Sequence, residues 1–184
     1  MTGSEGQAGG LLGAPLAILI GPPGAGKTSV GSELAARLGV GFLDTDAAIE
    51  SAAGKPVGDI FIEDGEPVFR ALERTAVAAA ISEHTGIIGV GGGAVLDPGT
   101  QARLAGQPVV YLTASFAELA KRVGMDRPRP LLLGNPRAQL KTLLEQRLPI
   151  YAGLAWLTVD TGGRKPGEIA EQIADAIAGA RPRP

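Results

Sequence analysis

The chain has 184 residues, of which 45% are hydrophobic and 20% charged, with a formal net charge of -2 and no cysteine. That length suits one domain with a sizeable core. The charge balance argues against a general nucleic-acid or membrane-surface binder, and the missing cysteines exclude disulfides, thiolate metal sites and a cysteine nucleophile. No apolar run reaches the ~18 residues of a membrane span. The N-terminus lacks the basic patch and apolar segment of a signal peptide. A cytoplasmic location and a monomeric state are the expectations, the latter because no apolar surface stripe stands out in the sequence.

Residues 1–14 are small, polar and glycine-rich and are expected to be disordered; 15–180 read as one domain, and 181–184 as a frayed tail. Residues 16–20 form an apolar run that reads as a buried strand. It leads into Gly21-Pro22-Pro23-Gly24-Ala25-Gly26-Lys27-Thr28, which fits the phosphate-loop pattern G-x-x-x-x-G-K-[ST] at every fixed position. Residues 29–38 read as a helix with Val30, Leu34 and Leu38 on one face. Strand, glycine loop and helix together are the context in which backbone N–H groups cradle phosphate oxygens. Lys27 then reaches the β- and γ-phosphates, and the Thr28 hydroxyl is a ligand for Mg²⁺.

A second strand, 40–43, ends in Leu43-Asp44-Thr45-Asp46, and a helix follows over 45–53. Either aspartate suits a helix cap. As a pair they suit chemistry: one carboxylate holds a Mg²⁺-bound water, and the other orients or deprotonates an attacking hydroxyl. Residues 57–62 suggest a turn or short helix, and 66–83 a longer helix on which Arg70 shares a face with Glu73 and Arg74. The third strand, 87–90, runs into Gly91-Gly92-Gly93, which suits close backbone approach to a ligand or a sharp turn.

A helix over 98–104 precedes a fourth strand at 109–112, and Ser115 caps the next helix, to about Val123. Residues 124–136 contain Arg127-Pro128-Arg129-Pro130, a basic, proline-stiffened loop suited to a lid. A helix over 137–148 carries Arg147, followed by Pro149 and Tyr151. The last strand is 155–159, and Pro166 opens the final helix. Taken alone, the segment from Asp160 to Lys165 reads as a strand-to-helix turn. His84, the one histidine, reads as a helix C-terminal residue, and Trp156 as core or as a neighbour of that turn. Alternating strands and helices predict a three-layer αβα sandwich around a five-stranded parallel sheet, of the phosphate-loop type.

A phosphate loop alone fits ATPases, GTPases, motors and small-molecule kinases. Together with L-D-T-D (43–46), D-I-F-x-x-D-G-E (59–66), F-R-x-x-E (69–73), G-G-G-A-V (91–95), R-P-L-L (129–132), R-x-P-x-Y (147–151) and V-D-T-x-x-R-x-P (159–166), it resembles the shikimate kinase family over nearly the whole chain. The resemblance implies an ATP-dependent phosphotransferase acting on the 3-hydroxyl of shikimate, with Mg²⁺ and with ATP and shikimate as its small-molecule partners. It implies that Asp46, Arg70, Gly92 and Arg147 bind shikimate, the arginines pairing with its carboxylate. Gly24, Ala25, Gly26, Lys27, Thr28 and Ser29 would hold ATP phosphates. Thr28 would ligate Mg²⁺, with Asp44 acting through water. Arg129 would be the lid arginine, and Arg164 would lie beside the adenine. Lys27, Asp46 and Arg129 would be the catalytic set, with about 45–75 as the substrate segment and about 124–136 as the lid. By the same resemblance Arg122 would be a further nucleotide contact, Glu73 a support for Arg70, and Phe61 and Phe69 walls of the substrate pocket. The alternatives are another kinase of the same fold, acting on gluconate or a nucleotide, and a nucleotide-dependent switch.

Overall fold

The computed structural model describes residues 13–124 and 136–180. In chain order the elements are β1 (Ala17–Ile20), α1 (Lys27–Leu38), β2 (Phe42–Asp44), α2 (Thr45–Ala53), α3 (Val57–Glu63), α4 (Glu66–Glu83) and β3 (Ile87–Gly89). A 3₁₀ turn (Ala94–Leu96) leads to α5 (Pro98–Leu104), β4 (Val109–Thr113), α6 (Phe116–Arg122), α7 (Pro136–Leu154), β5 (Leu157–Asp160) and α8 (Pro166–Ala180). The five strands pair in parallel in the order β2-β3-β1-β4-β5, as the alternating pattern predicts.

The central strand shows why both sheet faces are covered. Successive β1 side chains point to opposite faces. Ala17 and Leu19 enter a core with Val30 and Leu34 of α1 and Ile169, Ile173 and Ile177 of α8. Ile18 and Ile20 enter another, with Val77 and Ala80 of α4, Leu104 of α5 and Tyr151 of α7. The four β1 residues are at most 1% exposed. Cutting one such leucine or isoleucine to alanine costs about 2–5 kcal/mol.

The topology also fixes where ligands go. From β1 the chain travels outward to β2, returns through β3, and crosses to β4 on the other side of β1. A crevice opens beyond the carboxyl end of β1, where the direction of winding reverses. The phosphate loop leaves β1 at this point, and the turns after β2 and β3 lie beside it.

Several boundaries differ from the sequence expectations. Helix α1 begins at Lys27, because Gly26 takes the left-handed conformation (φ 96°) and carries the loop directly into the helix. Residues 57–63 form a short helix, α3, one of the two expected readings and one residue longer than expected. Helix α7 runs through Pro149 to Leu154 rather than ending at 148. Proline there removes an intrahelical N–H and is costly. Burial of Tyr151, with Ile150 and Leu154 packed on the same core, offsets that cost. Trp156 is neither core nor beside the 160–165 turn: it is 45% exposed and precedes β5, at the opposite end of that strand.

Candidate active site

The phosphate loop, the β2–α2 junction and Val90, which follows β3, converge on one cleft of about 410 Å³. That size falls in the range of small-ligand sites. Gly24, Gly26, Lys27, Thr28, Ser29, Asp44, Asp46 and Arg122 line it. A mainly apolar hollow between α2 and α4, lined by Ile49, Leu72 and Ala76 among others, shares no residue with it. Ala25 is fully buried behind the loop.

The Lys27 ammonium folds back over its own loop, donating to the carbonyls of Gly21 (2.8 Å) and Pro22 (3.1 Å). Burial lowers its pKa from 10.5 to about 8, against the pull of Asp46 and Asp44. Thr28 donates its hydroxyl to Asp44 Oδ2 at 2.8 Å. The other oxygen of Asp44 caps α2, accepting from the backbone of Asp46 (3.0 Å) and Ala47 (3.5 Å). Asp44 therefore fills both of the roles open to it from sequence: helix cap and neighbour of the Thr28 hydroxyl. Among the described residues no group of three or more His, Cys, Asp or Glu could hold a metal alone. A hydroxyl and a carboxylate facing the phosphate site instead suit Mg²⁺, a hard cation usually held by one or two protein oxygens together with phosphate and water.

Asp46 stands one residue into α2 with Oδ1 buried and without a hydrogen-bond partner. Burial raises its pKa above the ordinary 3.8, Asp44 adds to the rise, and Lys27 opposes it. Arg147, on α7, is 9% exposed, and its buried Nε also lacks a partner. An unpaired buried polar group costs about 1–3 kcal/mol. The site thus holds one unsatisfied acceptor and one unsatisfied cationic donor.

Arg70 is held on three sides. Its Nη1 donates to Glu73 at 2.7 Å, and its Nε and Nη2 donate to Glu66 at 3.2 and 3.1 Å. The guanidinium lies over the rings of Phe61 (5.8 Å) and Phe69 (5.3 Å), which pack against each other tilted by 35°, with centroids 4.5 Å apart. Arg74 turns away from this face toward Asp97, 3.8 Å distant. Burial holds the Glu73 carboxyl above its usual range, although Arg70 pulls it down.

The glycine triplet is small because of crowding and not because of unusual backbone, since none of its residues has positive φ. A Cβ on Gly91 would stand 2.6 Å from Asp46 Oδ1 and 2.9 Å from Glu73 Oε1. On Gly93 it would stand 2.5 Å from Arg70 Nη1. On Gly92 it would meet the phosphate loop, 3.3 Å from both the Gly21 carbonyl and Pro23. The turn therefore touches Asp46, Glu73 and Arg70 together with the phosphate loop.

Arg122 donates to the Gly24 carbonyl (3.1 Å) and to the hydroxyl and carbonyl of Thr161 (2.9 and 2.8 Å). It ties the phosphate loop to the turn after β5. Glu118 completes a capping box with Ser115 and accepts from Gly163 N–H at 2.8 Å. Arg164 is bound to the Asp160 carbonyl (3.0 Å) and, on α8, to Gln172 (2.8 Å). Arg129 and most of 124–136 lie outside the described residues. His84 ends α4 as expected, its backbone N–H bonded to Ala80, and its ring reaches the Gly41 carbonyl at 3.1 Å.

Sequence reading missed two hydroxyls. Thr45, fully buried, accepts the Gly91 N–H at 3.1 Å. Tyr151, also fully buried, donates to the Gly92 carbonyl at 2.5 Å. Both residues sit inside quoted motifs, but nothing in a motif says which backbone group a hydroxyl will meet.

A parallel sheet wound about β1, with a phosphate loop facing paired carboxylates, defines a small-molecule kinase of the phosphate-loop class. The shikimate kinase family model matches residues 23–178. The shikimate kinase of Thermobifida fusca (strain YX) is 62% identical over 166 residues, 90% of this chain and 96% of that protein. That of Salinispora arenicola (strain CNS-205) is 53% identical over 90% of this chain and 99% of its own length. Among solved structures, shikimate kinase from Acinetobacter baumannii in complex with shikimate matches with a TM-score of 0.84 and 34% identity, covering 93% of this chain and 96% of that one. The chain belongs to the shikimate kinase family.

Proposed function

We propose that this chain transfers the γ-phosphoryl group of ATP to the 3-hydroxyl of shikimate, giving ADP and shikimate 3-phosphate for aromatic amino acid biosynthesis. One observation carries the acceptor side: Asp46 Oδ1 and Arg147 Nε are both buried and unpartnered. A ligand bearing a hydroxyl and a carboxylate supplies one partner to each. Shikimate is such a molecule, and the family relationship supports it.

Arg147 and Arg70 bind the carboxylate as planar donors. The ligand takes the side of Arg70 now used by Glu66, which is 62% exposed, while Glu73, 4% exposed, keeps the guanidinium aimed. Gly92 lines the acceptor pocket with its backbone. Asp46 accepts the proton of the attacking hydroxyl as its oxygen bonds to the γ-phosphorus and the bond to the ADP oxygen breaks. The loop 24–29 holds the phosphates, and Lys27 offsets the charge that develops on them. Thr28 would hold Mg²⁺ directly and Asp44 through water, and the ion would supply further neutralisation of the phosphate charge. Arg129 is assigned a place above the phosphates on its R-P-L-L motif alone, and Arg164 a place beside the adenine on its V-D-T-x-x-R-x-P motif.

A monomer in the cytoplasm, without nucleic-acid or membrane partners, completes the reading. The net charge of -2 supports it, and no helix among the described residues is long and apolar enough to cross a membrane. One assay tests the reaction: ADP release with shikimate, gluconate and AMP offered separately to the purified chain. Turnover with shikimate is expected. Turnover with gluconate or AMP and none with shikimate sinks the reading.

A further inference from the structure

The glycine turn at 91–93 has no side chains with which to hold itself, yet three parts of the site depend on its position. Gly91 abuts Asp46 and Glu73, Gly93 abuts Arg70, and Gly92 abuts Gly21 and Pro23. Two buried hydroxyls from other elements fasten it: Thr45 Oγ1 accepts the Gly91 N–H, and Tyr151 Oη donates to the Gly92 carbonyl. Tyr151 stands one helical turn after Arg147 on α7 and stacks on Tyr111 with ring centroids 5.2 Å apart. A phenylalanine would fill the same core volume, so packing alone does not call for the oxygen.

We propose that Tyr151 is a positioning residue for the acceptor: its hydroxyl fastens the glycine turn to α7, so that the helix carrying Arg147 and the turn facing Asp46 and Arg70 keep one spacing. The inference rests on the kinase reading above. It acts through geometry, because a shift of about 1 Å in a positioning group is enough to cost a large part of turnover. The Arg147 guanidinium also hydrogen-bonds to this hydroxyl, and its charge lowers the hydroxyl's pKa; burial outweighs both and raises it to about 12, so the proton stays in place for the Gly92 carbonyl.

Tyr151→Phe tests the inference, with Tyr111→Phe as its control. Tyr111 belongs to the same stack, but its hydroxyl donates to Thr113 (3.3 Å) and not to the turn. For Tyr151→Phe, shikimate KM is expected to rise about three- to tenfold, the worth of one hydrogen bond. ATP KM should stay within about twofold, and amides of the segment 89–96 should exchange hydrogen faster without ligand. Tyr111→Phe should change neither. An unchanged shikimate KM, an equal rise in both KM values, or unchanged exchange in the turn overturns the inference. If the unaltered chain fails to phosphorylate shikimate, the functional reading falls by itself. Ligand-free exchange then still decides whether Tyr151 holds the turn.

Discussion

Asp46 Oδ1 lies 2.6 Å from the point where a Cβ on Gly91 would be. The proposed base and the glycine turn therefore exclude each other's growth. Gly91→Ala must displace Asp46, together with Glu73 Oε1 at 2.9 Å. We expect kcat to fall about 100-fold and stability to fall by about 1–3 kcal/mol. Gly93→Ala meets only the far end of Arg70, at 2.5 Å, and should raise shikimate KM with less effect on kcat. Steady-state kinetics and thermal melts of both variants check this. Equal losses would show that the turn does not distinguish the two groups.

Arg70 has two carboxylate partners with opposite expected roles. Glu73→Ala removes the buried one and should raise shikimate KM roughly tenfold. Glu66→Ala removes the exposed one, which competes for the same guanidinium edge, and should leave shikimate KM unchanged or lower it. Arg70→Ala and Arg147→Ala should each raise shikimate KM by about 10- to 100-fold while sparing ATP, since hydrogen bonds to charged groups are worth ~1.5–3 kcal/mol. Normal shikimate kinetics in both arginine variants would remove the carboxylate assignment.

The 2.8 Å bond from Thr28 to Asp44 predicts how the metal requirement responds to mutation. Thr28→Ser keeps the hydroxyl and should retain turnover within a few-fold. Thr28→Val should lose it by about 100-fold or more, and chelation of divalent ions should abolish it in the unaltered chain. Asp44→Asn retains an oxygen to cap α2. It should keep its melting temperature and need several-fold more Mg²⁺ for half-maximal rate. A Mg²⁺ titration that superimposes on that of the unaltered chain would count against Asp44.

The pH profile follows from two shifted groups. Lysine carries its charge below its pKa, and burial sets that of Lys27 at about 8. The kcat/KM for ATP should therefore fall as pH rises through about 8. Bound phosphates favour the charged form, so the alkaline limb of kcat should lie higher. Asp46 takes a proton only when ionised, and its pKa lies above 3.8 through burial and then Asp44. The kcat/KM for shikimate should fall, toward acid, at a higher pH than an ordinary aspartate would give. A profile for ATP that stays level from about pH 7 to 10 refutes the assignment to Lys27.

Local rules carried most of the fold. The expected limits of α2, α4 and α5 coincide with the observed ones. Caps and glycines mark these limits: Asp44 and Gly54 for α2, Gly65 for α4, and Asp97 for α5. The misreadings came where distant contacts outweigh local preference. Helix α7 passes Pro149 because Tyr151 is buried against the sheet from far along the chain. Trp156, expected in the core or beside the 160–165 turn, instead stands where β5 starts at the sheet edge, and only part of its ring is covered.

By itself the sequence determined the phosphate loop, the order of strands and helices, and the acidic, glycine and arginine motifs that mark the family. All of these are patterns over a few neighbouring residues, where spacing and backbone preference decide. Only the tertiary structure decided what those motifs do to one another. Parallel pairing of β2, β3 and β1 sets Asp46 against Gly91, Gly93 against Arg70, and Gly92 against the loop that holds Lys27. It also left Asp46 Oδ1 and Arg147 Nε buried without partners. Pairing across ~45 to 100 residues is set by close packing of the whole core, which no single stretch of sequence encodes.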